Sequence, residues 1–122
     1  MAFPAKKLSD LHDPYLLCDM QKAAERIERA IGNNEKIAVY GDYDADGVTA
    51  TYIMLHYLRF RGADCIYHIP DRFGDGYGVS KGALDLLADQ GVSLVVTVDT
   101  GITAVDEALY AKEDFTDEDG IL

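Results

Sequence analysis

The sequence predicts an α/β domain in three layers, with helices on both faces of a short parallel sheet. Three observations predict it. Short apolar runs suited to buried strands alternate with stretches of helical periodicity. Glycine or proline bounds most of these segments. With 122 residues and 48% apolar content the chain suits one domain with its own core, though a parallel sheet of this size has few strands.

The elements follow in order. Residues 1–13 read as a lead-in arm with little periodicity. Asp13-Pro14 resembles a cap with proline at the first helical position. Apolar residues then recur at helical spacing from Leu16 through Met20, Ala23, Ala24, Ile27 and Ala30 to Ile31. Gly32-Asn33-Asn34 stops that helix. Lys36 to Tyr40 is a short apolar run, read as a strand buried on both faces. A helix is expected from about Gly47 to Phe60, with Val48, Tyr52, Leu55 and Leu58 as its core stripe and Gly62 as its end. A second strand spans Asp64 to Ile69 and is cut by Pro70. Residues 71–78 form a glycine-rich loop. Ser80 is the expected N-cap of a helix through Ala88, stopped by Gly91. Val92 to Val98 has the strongest strand character. A last helix is expected from near Thr103 to about Lys112. Alternation of this kind implies right-handed parallel crossovers.

Charge narrows the function. The net charge is −11, and residues 106–122 carry seven acids against one base. That balance excludes a stand-alone basic nucleic-acid binder. Cys18 and Cys65 have no paired spacing, so zinc and a disulfide framework are not expected; both read as reduced, partly buried thiols. No secretory h-region and no apolar run of membrane length is visible. A cytoplasmic protein is expected. His12, His56 and His68 carry no evident role.

The chemistry lies in the aspartates. Asp42, Asp44 and Asp46 alternate directly after the first strand, and Asp99 follows the third. Ligands of open α/β sheets bind outside the carboxyl ends of strands. If the first and third strands are neighbours, four carboxylates converge. Such a cluster repels itself unless a divalent cation is present. An all-oxygen donor set favours Mg²⁺ or Mn²⁺ over zinc. Two ions ~4 Å apart would activate water and clamp a phosphate. An EF-hand does not fit, because loop position 12 falls on Ile53 rather than a bidentate glutamate.

Four segments carry a resemblance in the right order. They are Leu11 to Leu17, Ile37 to Thr49 with Gly41-Asp-Tyr-Asp-Ala-Asp-Gly47, Tyr67 to Gly78 with Asp-Arg-Phe and Gly-Tyr-Gly, and Val95 to Ile102 with Val-Asp-Thr-Gly. Over roughly residues 8–112 the chain resembles the DHH phosphoesterase superfamily, and within it the RecJ single-strand DNA exonucleases. The resemblance implies a three-layer fold, Mn²⁺ or Mg²⁺, and 5′→3′ degradation of single-stranded DNA in repair and recombination. It implies that Asp44, Asp46 and Asp99 ligate metal, with Asp42 as a supporting acid of the catalytic set. Arg72 is implied for a DNA phosphate and Tyr77 for a base. Gly101 and Thr103 are implied near the metals at a helix N-terminus.

The chain departs from this pattern after Lys112. The Asp-His-His motif that names the family is absent, and residues 113–122 form an atypical acidic tail. The expectation is therefore the N-terminal portion of a DHH domain, either a piece of a longer chain or the product of an altered 3′ end. Alone it is expected to be inactive and prone to self-association. Two alternatives remain open here. One is a haloacid-dehalogenase-type phosphatase, whose Asp-x-Asp-Gly signature fits Asp44 to Gly47. The other is a non-catalytic metal- or partner-binding module.

Overall fold

The computed structural model describes residues 7–71 and 78–114. Arg72, Tyr77 and the acidic tail from residue 115 lie outside the described residues. After 3-10 turns at Leu8–Asp10 and Pro14–Leu16 come α1 (Met20–Gly32), β1 (Lys36–Tyr40), α2 (Ala45–Phe60), β2 (Asp64–His68), α3 (Lys81–Asp89), β3 (Leu94–Thr97) and α4 (Val105–Asp114). The strand order is β2-β1-β3, and both pairings are parallel.

Side chains alternate across the sheet. Ile37, Val39, Cys65, Leu94 and Val96 face Ala30 of α1 and Leu58 of α2. Ala38, Tyr40 and Val95 face Ala83, Leu84 and Leu87 of α3 and Ala111 of α4. The architecture is the expected three-layer α/β arrangement. β1 is central, and Ile37 to Tyr40 are each 0% exposed, which explains why this strand reads as a continuous apolar run. The chain crosses from β1 to β2 over the face that holds α2. It returns past β1 to β3 over the face that holds α3. Right-handed crossovers require such a change of face when the direction of travel reverses.

At the amino end of the sheet, the buried Arg26 guanidinium donates to both Glu35 oxygens, at 3.2 and 2.9 Å, and the Ser93 hydroxyl donates to Glu35 Oε1 at 3.0 Å. A charge taken out of water needs such pairing. The group ties α1 to the residues leading into β1 and β3.

Several boundaries differ from the sequence expectation. The first helix does not begin at Pro14 or Leu16. Asp13 caps a 3-10 turn by accepting from Tyr15 N at 2.9 Å, and α1 starts only at Met20, after Asp19 turns to φ +60°. Leu16 and Leu17 are exposed, so no packing supports a helix there. Val92 N–H donates to Leu87 O, which makes it part of the α3 exit rather than of β3. The last helix starts at Val105 rather than near Thr103. Cys18 is exposed, whereas Cys65 is buried and burial pushes its thiol pKa up to about 11.

The buried stripe of α2 is also different. Val48 and Tyr52 are exposed, and the buried positions are Gly47, Thr51 and Leu58. The helix is apolar on almost every side, so periodicity alone does not select a face. Close packing of its first two turns against the end of β1 does.

Tyr40 links the sheet to α3. Its hydroxyl donates to Gly78 O and accepts from Ser80 N, both at 3.2 Å. Tyr40→Phe removes this partner from two partly buried groups. It should lower the unfolding free energy by about 0.5–1.5 kcal/mol, read from a urea titration.

Candidate metal centre

The centre is built by two loops at the carboxyl end of the sheet. β1 ends at Tyr40, and Gly41 N–H donates to His68 O at 3.0 Å, which carries the ladder to β2 one step further. Asp42 follows and is 1% exposed. Its Oδ1 accepts from Tyr43 N at 2.7 Å. Asp44 is the N-cap of α2, in extended backbone (φ −75°, ψ 173°), and its Oδ1 accepts from Gly47 N at 2.7 Å. An anionic side chain at this position is favoured by the helix N-terminus. Asp46 lies in the first turn of α2 and is exposed.

The second loop leaves β3. Val98 N–H donates to Tyr40 O at 2.9 Å, so the two strand ends stay paired up to the turn. Asp99 then takes φ +58° and Gly101 φ +92°. Aspartate tolerates the left-handed region better than most residues do. The following helix, α4, covers the face opposite α2. The two loops therefore leave the sheet in opposite directions, and a crevice opens between β1 and β3.

The crevice gathers carboxylates from both loops. Asp42, Asp44 and Asp99 each offer an oxygen, and these atoms lie within 4.8 Å of one another. Asp46 stands outside that trio, at the rim. The Asp99 carboxyl is held above the ordinary aspartate range. Loss of hydration is the largest cause, followed by the charge of Asp44, a hydrogen bond with Asp44, and the charges of Asp46 and Asp42. Asp99 is itself exposed, so solvent screens much of the repulsion. The four aspartates nevertheless share one electrostatic neighbourhood. Hard oxygen donors crowded in this way fit Mg²⁺ or Mn²⁺, whose charge would remove the repulsion.

The other candidate residues are distributed as follows. Gly101 and Thr103 lie on the Asp99 loop ahead of α4, with Ile102 between them 97% exposed. Arg72 and Tyr77 fall outside the described residues. His12 is exposed, His56 stacks on Tyr52 along the outer side of α2, and His68 packs beside Tyr40 in the sheet. Asp42, expected as a supporting acid of the catalytic set, has its carboxylate in the trio. Sequence reasoning gave no part to Thr51, which is buried in α2 and donates its hydroxyl to Gly47 O at 2.7 Å. The signal was the spacing of Gly41, Gly47 and Thr51 across the turn.

A family profile described as "DHH family, N-terminal domain" matches residues 36–118. The chain belongs to the DHH family. Among curated relatives it is 51% identical over 107 residues to the single-stranded-DNA-specific exonuclease RecJ of Bacillus subtilis, a match covering 88% of this chain and 14% of that protein. It is 40% identical over 89 residues to RecJ of Escherichia coli K12, covering 72% of this chain and 15% of that one. A crystal structure of exonuclease RecJ bound to manganese superposes with a TM-score of 0.73 at 34% identity, covering 86% of this chain and 26% of that one. RecJ from Thermus thermophilus in complex with Mn²⁺ gives 0.66 at 30% identity, covering 86% and 14%. The chain thus spans well under a third of the length of the relatives it matches.

Membership of the DHH family replaces the haloacid-dehalogenase reading. The local geometry agrees. The nucleophile of such a phosphatase stands directly at its strand end, whereas here Gly41 to Tyr43 separate β1 from Asp44. Among the described residues, no helix is long and apolar enough to cross a membrane.

Proposed function

We propose that these residues supply part of the divalent-metal centre of a single-stranded-DNA-specific 5′→3′ exonuclease, acting in the cytoplasm in DNA repair and recombination. The observation that carries the reading is the trio of carboxylate oxygens from two strand ends within 4.8 Å. Similarity to RecJ proteins, two of them described with manganese, supports it.

In this reading Asp42, Asp44 and Asp99 would hold one Mn²⁺ or Mg²⁺, and Asp46 at the rim would serve a second. Such ions supply neutralising charge for a phosphodiester and acidify a bound water. The chain's own residues do the remaining work. The Gly47 amide fixes one Asp44 oxygen and so orients the other. The loop ahead of α4, with Gly101 and Thr103, suits a phosphate near a helix N-terminus. Arg72 would grip a phosphate with two parallel hydrogen bonds, and Tyr77 would stack on a base. With a net charge of −11, the chain has little backbone attraction of its own for DNA, so binding should depend on the metal. The exposed apolar side chains Tyr52, Ile53 and Phe60 on α2 support self-association of the isolated chain.

The 122 residues contain no Asp-His-His sequence, so the isolated chain is expected to bind Mn²⁺ without robust turnover. A segment exchange tests the function itself. The matching 107 residues of the Bacillus subtilis exonuclease are replaced by those of this chain. The hybrid should degrade 5′-ended single-stranded DNA with Mn²⁺, and Asp44→Asn should abolish this. A folded hybrid with no Mn²⁺-dependent nuclease activity would count against the proposal.

A further inference from the structure

The turn that carries Asp42 and Asp44 is closed by contacts without clearance. A Cβ built on Gly41 would overlap Thr51 Oγ1 and would come within 3.2 Å of Thr51 Cβ and of Gly47 O. A Cβ on Gly47 would lie 2.6 Å from Asp42 Cβ, 2.6 Å from Asp42 O and 2.8 Å from Asp42 C. Neither side has room to retreat. Gly41 is pinned from behind by its bond to His68 O at 3.0 Å. Thr51 is 3% exposed, and its hydroxyl donates to Gly47 O at 2.7 Å. A β-branched side chain on a helix has few rotamers to choose from.

One polar side chain therefore touches both ends of the turn. Its oxygen meets Gly41 on one side and Gly47 on the other, and Gly47 in turn meets Asp42. We propose that Thr51 is a positioning residue for the carboxylate centre. It sets the separation between the end of β1 and the first turn of α2, and with it the place of Asp42 relative to Asp44. Thr51 is buried behind the turn, and the donors gathered in the crevice are the carboxylates of Asp42, Asp44 and Asp99. A hydroxyl fits the gap, whereas a methyl in its place is larger and cannot donate. The inference rests on reading the carboxylates as a metal centre.

The test titrates Mn²⁺ into the full 122-residue chain, following free Mn²⁺ by its paramagnetic resonance signal. Wild type is compared with Thr51→Ser, Thr51→Val and Thr51→Ala, and circular dichroism melts without metal check folding. Thr51→Ser keeps the oxygen and should bind as wild type does. Thr51→Val and Thr51→Ala should bind about tenfold more weakly, the usual scale for a residue that orients ligands without touching the metal. That loss should appear in variants whose secondary structure matches wild type; if valine does not fold, alanine is read in its place. Wild-type affinity in a folded valine or alanine variant would overturn the inference and leave the metal centre standing. So would a serine variant as weak as alanine. Absence of saturable Mn²⁺ binding in wild type would overturn the metal reading and the inference together.

Discussion

Gly47→Ala should lower the thermal midpoint, by up to about 15 °C, and remove most of the Mn²⁺ affinity. Two effects compete at this position. Replacing a glycine inside a helix by alanine ordinarily gains about 0.5–1 kcal/mol through chain entropy. Forcing a methyl into filled space costs about 1–3 kcal/mol. Here the methyl would meet the Asp42 backbone at 2.6 and 2.8 Å, and backbone atoms do not swing aside as a side-chain tip does. The steric cost therefore wins. For a domain of this size each kcal/mol moves the midpoint by about 3–6 °C. The displaced part is Asp42, so the metal centre suffers with the fold. Gly82→Ala is the control, because nothing lies within 4 Å of its added methyl in α3. It should leave the midpoint unchanged or raise it, with Mn²⁺ binding intact. A Gly47→Ala protein as stable as wild type would show that the turn has slack it is not expected to have.

Asp99→Asn should act in opposite directions on stability and on metal binding. Asparagine accepts the left-handed backbone at this position, so the loop should keep its shape. Without metal, the substitution removes one charge from a repelling group and should raise the midpoint. With Mn²⁺ it removes a ligand, and binding should weaken by more than about tenfold. The pH dependence follows from the raised Asp99 pKa. Between the ordinary aspartate value and the raised one, the folded chain holds a proton that the unfolded chain has released. The stability contribution of this group therefore falls as pH rises through that window. Glu28 moves the other way, because its hydrogen bond with Arg61 holds its carboxyl low. The total midpoint mixes such groups, so the difference between variant and wild type is the quantity to follow. Below the window both side chains are neutral and the difference should vanish. Above it the variant should be the more stable. A difference independent of pH would show that Asp99 feels no repulsion in the crevice.

The layered fold was legible because β1 and β3 bury both faces. Lys36 to Tyr40 is apolar for that reason, and the glycine or proline at each boundary marks where the chain turns. Convergence of Asp42, Asp44 and Asp99 was legible as a condition, namely that the first and third strands be neighbours. The pairing of β1 with β3 meets that condition. What failed was the choice among equally apolar faces. Tyr52, Ile53, Leu55, Tyr57, Leu58 and Phe60 leave no unique stripe on α2, and the buried face contains a threonine. Its burial depends on the gap beside Gly41, which no periodicity encodes. The start of α1 failed for a related reason. Asp13-Pro14 is a sound local cap, but a helix needs something to pack against, and Tyr15, Leu16 and Leu17 are exposed. The split between the trio and Asp46 also depended on three-dimensional detail, because alternation along the turn treats all three aspartates alike.

The central claim is that carboxylates from two strand ends form one divalent-metal site. The most direct test is Mn²⁺ titration of the 122-residue chain alongside Asp99→Asn, with free Mn²⁺ read by its resonance signal. The account predicts saturable binding in wild type and its loss in the variant, although Asp42, Asp44 and Asp46 remain on the other loop. The same isotherm for both proteins, or no saturation in wild type, would contradict it.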